Sequence, residues 1–228
     1  PDPAAIRGLL RVGSIESIAT AVLPDLLTGF HRRYPHIQLT VCTESRDSLA
    51  DQVRNNQIDL FFDLNDRTPI PYLTQEFLRK EEIVFLTGQN PGYQKAIPLG
   101  EIAQKPFVLT ERGEGYRKEL ERLLAERNLT ITPIIEFGNP ETILHLVARD
   151  LGFSFLPLFC AEEYLRDGRL FVLETDTPRI FMYSQIFYHK NKWITPQIQA
   201  LLTHIREYFS QPAVPPLSLR SSSSSHNQ

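Results

Sequence analysis

Four short stretches carry the side chains that could meet a small ligand. They are residues 14–17, with Ser14 and Ser17; residues 45–48, with Ser45 and Ser48; residues 110–117, with Glu111, Arg112 and the Gly113-Glu114-Gly115 triplet; and residues 138–142, with Gly138 and Asn139. Each lies where a strand-like run ends and a helix-like run begins. Free N–H groups at such turns, helped by hydroxyls and amides, hydrogen-bond carboxylates or phosphates. Ser17 and Asn139 also suit simple helix capping, but turns from both halves of the chain would line a single cleft. Catalytic patterns are missing from the sequence: His31, His36, His145, His189 and His204 have no HxxxH or HxH spacing, and His226 sits in the terminal tail. The glycine triplet lacks the Lys-Ser/Thr that would make it a phosphate loop. Glu81 and Glu82 are neighbours that should face opposite ways on a strand, so they read as a solvated edge. Cys42 and Cys160 are far apart with no CxxC partner, which predicts two small buried residues and neither a disulfide, a zinc site nor any cofactor.

The segments that must position these turns alternate in period. Residues 10–15 read as a strand. A helix follows, capped by Ser17, with Ile18, Val22, Leu23, Leu26, Leu27 and Phe30 on one face and a kink at Pro24; Pro35 stops it. Residues 37–43 alternate as a strand, a short helix starts at Asp47 or Ser48, and residues 59–64 form a buried strand. Two extended runs, 72–78 and 83–87, come next. The pattern then restarts with a strand at 107–110, a helix at 116–127, a strand at 131–137 and a helix capped by Asn139 with Pro140 at its first position. Gly152 is expected to end that helix before a strand at 153–156. A short helix closed by Gly168 follows, then strands at 170–173 and 180–188, and a last helix opened by Thr195-Pro196. Strand–helix–strand order of this kind implies an α/β protein with a parallel sheet covered on both faces.

Bulk properties narrow the classes. The 228 residues carry 24 Lys and Arg against 27 Asp and Glu, a net charge of −3, with 42% hydrophobic residues. That is globular composition, and the balance argues against gripping nucleic acid by bulk charge. The longest apolar run, 151–160, is too short to span a bilayer, and no leader-like run is visible ahead of Arg11. The Pro- and Ser-rich segment 211–228 cannot build a core and reads as a disordered or vector-derived tail.

The order of several loose motifs resembles a known family. Leu10-Arg11-Val12-Gly13, then Leu23-Pro24, Phe30, Tyr34-Pro35 and Asp59-Leu60, is similar to the opening of the effector-binding domain of LysR-type transcriptional regulators. Pro106-Phe107-Val108-Leu109, Gly113-Glu114-Gly115 with Arg117, Glu141-Thr142-Ile143, Leu151-Gly152-Phe153 and Leu156-Pro157 continue the likeness, which spans about residues 9–209. The resemblance implies a type 2 periplasmic-binding-protein-like fold, two α/β lobes joined by two crossover strands. Residues 9–82 and 186–210 would form the first lobe and 83–185 the second. It further implies a cytoplasmic, non-catalytic sensing domain that forms a homodimer or higher homo-oligomer, does not engage a membrane, and meets DNA only through an N-terminal domain absent from this chain.

Carried over residue by residue, the family's effector contacts fall on Ser14, Ser17, Ser45, Leu64, Asn65, Gly138 and Asn139, with Glu111 and Arg112 on the loop that closes the cleft. Glu16 stands where the family commonly has proline or a small residue. Asp63, Glu111 and Glu114 add negative charge nearby, with Arg46, Arg112 and Arg117 to offset it. The effector expected is therefore a zwitterion or a carboxylate clamped by one arginine, rather than a simple anion. Two rival readings share the fold: a secreted solute-binding protein, and an enzyme on a related two-lobed scaffold, for which neither cysteine is well placed.

Overall fold

A computed structural model describes residues 5–92, 96–113 and 115–211. Glu114 and, apart from Gln211, the expected tail lie outside the described residues. Strand β1 (Gly8–Ser14) runs parallel to β2 (Ile37–Thr43) and to β3 (Leu60–Asn65). Between them come α1 (Glu16–Ala21), α2 (Leu23–Arg33) and α3 (Arg46–Arg54). The helix expected over this first connection is in fact two. They meet at Val22, so Pro24 sits in the first turn of α2, where its missing N–H costs no hydrogen bond, and no mid-helix kink arises. Ser17 is also not the cap. Ile15 still bonds through its N–H to Phe62 O at 3.2 Å as a strand residue, the helix starts directly after it, and Ser17 falls inside the first turn.

Strand β4 (Leu73–Thr87) joins the two extended runs read from the sequence into one strand of 15 residues. The second half adds α4 (Leu99–Ile102), β5 (Val108–Leu109), α5 (Gly115–Ala125), β6 (Ile135–Glu136), α6 (Pro140–Val147), β7 (Ser154–Pro157), α7 (Leu158–Arg166) and β8 (Phe171–Leu173). The chain ends with β9 (Ile180–His189) and α8 (Pro196–Ser210). The four-residue α4 was not anticipated, and the strand expected over 131–137 shrinks to two residues paired with β5. The main sheet runs β2-β1-β3-β9-β4-β7, with β8 also on β4. It is mixed rather than purely parallel, because β9 is antiparallel to both β3 and β4.

The ladder between β4 and β9 slips by one residue between Phe77 and Arg79. Such a bulge reverses which residues of a strand face which side. Gln75 and Phe77 oppose Phe187 and Gln185, whereas Arg79 and Glu81 oppose Ser184 and Met182. Glu81 is thereby turned inward. It is 6% exposed, accepts from Ser184 Oγ at 2.9 Å and pairs with Arg79 Nε at 2.8 Å, so the solvated-edge reading fails for this residue.

Aromatic pairs fill the core on both sides of this ladder. Phe61 and Phe187 stack at 5.1 Å, and Phe85 packs on Phe155 at 4.8 Å and edge-on to Phe107 at 6.4 Å. Cys160 is buried as expected, but Cys42, near the end of edge strand β2, is only partly so.

Gly152 does not end α6, which stops at Val147. It lets two segments approach: a Cβ there would stand 2.5 Å from Pro106 O, the atom that accepts the Phe153 N–H at 2.8 Å. Gly152→Ala should therefore lower the unfolding free energy by about 2 kcal/mol, the usual cost of overpacking, as read from the midpoint of urea denaturation at unchanged m-value.

Candidate functional site

The ends of β1 and β3 lie side by side, since Ser14 is in register with Phe62 and Glu44 N donates to Ser14 O at 3.2 Å from the end of β2. Two contacts bring the loops of the second half onto this edge, and a third ties two of those loops to each other. Asn139 Nδ2 donates to Glu16 Oε2 at 3.4 Å. The start of α5 meets the end of β3 so closely that a Cβ on Gly115 would stand 2.9 Å from Leu64 O, a position only glycine can fill. The Glu111 carboxylate lies against Gly138, where a Cβ would be 3.6 Å from Oε1. Ser14, Ser17, Leu64, Asn65, Glu111, Gly138 and Asn139 are thus gathered along one seam.

Two expected members fit less well. Ser45 caps α3, its Oγ accepting from Ser48 N at 3.4 Å, which leaves the hydroxyl committed to its own helix. Arg112 points away, its side chain 79% exposed and 3.7 Å from Glu121. Arg117, raised as a counter-charge, is buried and fully engaged, donating to Thr110 O at 2.8 Å and pairing with Glu136 and Glu121. Glu16 was noticed only as a departure from a pattern, yet it makes the contact to Asn139; its place beside Ser17 was the available signal.

Ser14 and Ser17 differ in their needs. Ser14 Oγ donates to Ile15 O at 2.9 Å. Ser17 Oγ is fully buried and has no hydrogen-bond partner among the described residues. The Ser17 carbonyl faces Cys160, whose Sγ lies 3.9 Å away, and burial pushes that thiol's pKa well up, so it stays a neutral weak donor.

Beneath the seam lies a polar cluster that the sequence could not join up. Asp63 on β3 is 1% exposed. Gln185 on β9 donates through Nε2 to Asp63 Oδ2 at 3.2 Å and to Asp66 O at 3.1 Å, and accepts from Gln75 of β4 at 2.6 Å. Arg46 Nε is 3.0 Å from Asp63 Oδ2 but makes no hydrogen bond there; its guanidinium donates instead to Thr68 O and stacks on Phe187. Burial pushes the Asp63 carboxyl up to about 6, the nearby Arg46 and the Gln185 bond pull it partly back, and Asp66 adds to the rise.

Both features are measurable. In the unfolded chain Asp63 titrates near its ordinary 3.8, so the folded state holds the proton more tightly. Its contribution to stability is complete below about pH 4 and is lost as pH rises through 6, a change of about 3 kcal/mol at most. The difference in unfolding free energy between wild type and Asp63→Asn should vary over that window and level off above it; a difference flat from pH 4 to 7 would contradict the assignment. Ser17→Ala removes an unmet hydroxyl and should raise the stability of the ligand-free protein by about 1–2 kcal/mol, read as a higher urea midpoint.

A family model described as the LysR substrate binding domain matches residues 3–210. The HTH-type transcriptional regulator GltR of Bacillus subtilis is 28% identical over 208 residues, covering 91% of this chain and 69% of that protein. Among solved structures, the regulatory domain of CcmR from Synechocystis PCC6803, in complex with 2-PG, superposes with a TM-score of 0.77 at 20% identity, over 88% of this chain and 97% of that one. The effector-binding domain of QuiR in complex with shikimate gives 0.73 at 20% identity, over 90% and 98%. The shared fold is the type 2 periplasmic-binding-protein-like one, two α/β lobes joined by two crossover strands, here β4 and β9. With the bridged loops at the seam and a family match that runs almost end to end, the chain belongs to the LysR substrate-binding domain family and is the effector-sensing domain of a LysR-type transcriptional regulator.

Proposed function

We propose that the effector is held at the seam where β1, β3, β5 and the start of α6 converge, by Ser17, Asn139, Leu64, Asn65 and Gly138, with Ser14 and Glu111 beside it. Residues 9–82 and 186–210 move as one lobe and 83–185 as the other. The observation that supports this reading is the pair of bridging contacts, Asn139 to Glu16 and Gly115 against Leu64, which join the two halves at these loops. A ligand that bridges both sides binds the closed arrangement better than the open one, and that difference in affinity is what shifts the population. The site makes and breaks no covalent bond.

Dimerisation is assigned to the helices around residues 17–34 and 195–209. The free edge of β2 lies beside α2, with Leu9 and Val41 each about two-fifths exposed, and supports an interface on that face. The place of action is the cytoplasm, and DNA is contacted by a part of the regulator other than this domain. Among the described residues no helix is long and apolar enough to cross a membrane.

Two measurements test the reading. Once a ligand is found by thermal-shift screening, Asn139→Ala should weaken it by about 1–2 kcal/mol, or roughly 5- to 30-fold, in calorimetric titration, while an unchanged affinity removes the site assignment. Sedimentation at tens of micromolar should show a dimer; a monomer removes the interface.

A further inference from the structure

We infer that the start of α5 is the stop on which the two lobes close, given the lobe movement proposed above. Gly115 sets how near the lobes come, and Lys118, one turn further on, is drawn toward Asp66 across the seam.

Gly115 is buried, and what crowds it belongs to the other half of the molecule. The atoms nearest to a Cβ built there are Leu64 O at 2.9 Å and the Asn65 side-chain Cγ and Nδ2, each at 3.0 Å. All three lie at the end of β3. Leu64 O cannot swing aside as the tip of a side chain would, because it is backbone within the ladder that pairs Leu64 with Ser184 of β9. The chain's own conformation at this position does not call for glycine. Gly113 has a φ of +115°, whereas Gly115 is helical and has no positive φ. Helix propensity alone favours alanine here. The missing side chain is explained by what faces it, so its size limits how closely the lobes approach.

Charge acts at the same contact. Residues three apart on a helix are neighbours on its surface, so Lys118 follows Gly115 along one flank, and Asp66 follows Asn65 on the facing loop. Burial tends to raise the Asp66 carboxyl, but the bonds from Thr68 and the charges of Arg46 and Lys118 outweigh it and hold the group below its ordinary range. Lys118 thus lies within reach of Asp66, yet neither belongs to an ion pair among the described residues. The other charges nearby are committed. Arg46 lies against Asp63 and bonds Thr68 O. Glu119 is paired with Arg122, and Glu121 with Arg117 and Arg112. An attraction between opposite charges grows as the gap shortens, so Asp66 and Lys118 favour the closed arrangement over the open one.

The test measures the distance between the lobes in the ligand-free chain. Nitroxide labels are placed at Glu44→Cys on the first lobe and Lys105→Cys on the second, in a Cys42→Ser background, since Cys160 is buried. Double electron–electron resonance is recorded with the labelled chain diluted in unlabelled chain, so that each pair is intramolecular. The variants are Gly115→Ala, Gly115→Val and Lys118→Glu. The expected result is a shift of population toward longer distances in Gly115→Ala and a larger shift in Gly115→Val, with the thermal melt of Gly115→Ala no lower than that of wild type. Lys118→Glu should shift the same way at low salt and return toward wild type at high salt, where the repulsion from Asp66 is screened. Distances in both glycine variants equal to those of wild type overturn the stop. So does a melt of Gly115→Ala well below wild type, which would mean that the added methyl strains its own lobe. A Lys118→Glu distribution equal to wild type at low salt, or one that salt does not restore, overturns the attraction. The labels report on the free chain, so the effector seat, tested by Asn139→Ala, stands or falls separately.

Discussion

Strand β9 is the constraint on which the rest depends. It is hydrogen-bonded to β3 along one edge and to β4 along the other, so a strand that closes the first lobe also crosses into the second. Neither half can shift its register without breaking a ladder that belongs to the other. The strand order β2-β1-β3-β9-β4-β7 then sets where the loops go. The carboxyl ends of β1 and β3 emerge at the crossing, and the starts of α5 and α6 arrive from the far side. The bulge at Leu78 adds local twist and lets β4 offer Gln75 to one face and Glu81 to the other.

The polar groups at the crossing explain why the joint is specific rather than merely tight. Asp63, Gln185 and Gln75 come from β3, β9 and β4, and their bonds run across the sheet in the plane of the ladders. A wholly apolar crossing would be at least as stable, since burying a carboxylate costs more than its one misaligned arginine returns. An apolar crossing would resist a slip of one residue only through the turning of its side chains to the opposite face. With an amide bonded on both sides, a slip leaves a buried donor or acceptor unmet, and that penalty fixes the register.

How much of this was legible in the residues depends on the range over which each feature is decided. Local signals served well: Asn139-Pro140 marked the start of α6, the alternation at Ile37 to Thr43 marked β2, and the apolar stripe of Leu120, Leu123 and Leu124 marked the buried face of α5. Errors came where a partner distant in sequence decided the outcome. Glu81 is turned inward by a bulge against β9, and nothing adjacent to it announces that. Ser17 looked like a cap because its type suits one, but Ile15, bonded to Phe62 as the last strand residue, takes the cap position and the helix starts at Glu16, too early for Ser17 to serve. Gly152 read as a helix stop, and its real task is set by Pro106, a residue 46 positions earlier. The site followed the same rule. Its loops were visible as strand-to-helix turns, whereas the pairing of Glu16 with Asn139, 123 residues apart, needed the fold.

The free protein's unmet groups show where a ligand gains most. A contact that replaces an existing internal bond returns little, because the protein gives up as much as it receives. Ser14, Ser45 and Arg117 are of this kind, each already bonded within the chain. Ser17 is the opposite case: its hydroxyl lies buried without a partner among the described residues, so the free state bears a cost that a ligand at the proposed site would remove. A structural serine in such a place would be replaced by alanine at a gain in stability. Under the proposed site, the hydroxyl makes its bond only when the cleft is occupied, and the free energy released would favour the closed arrangement over the open one.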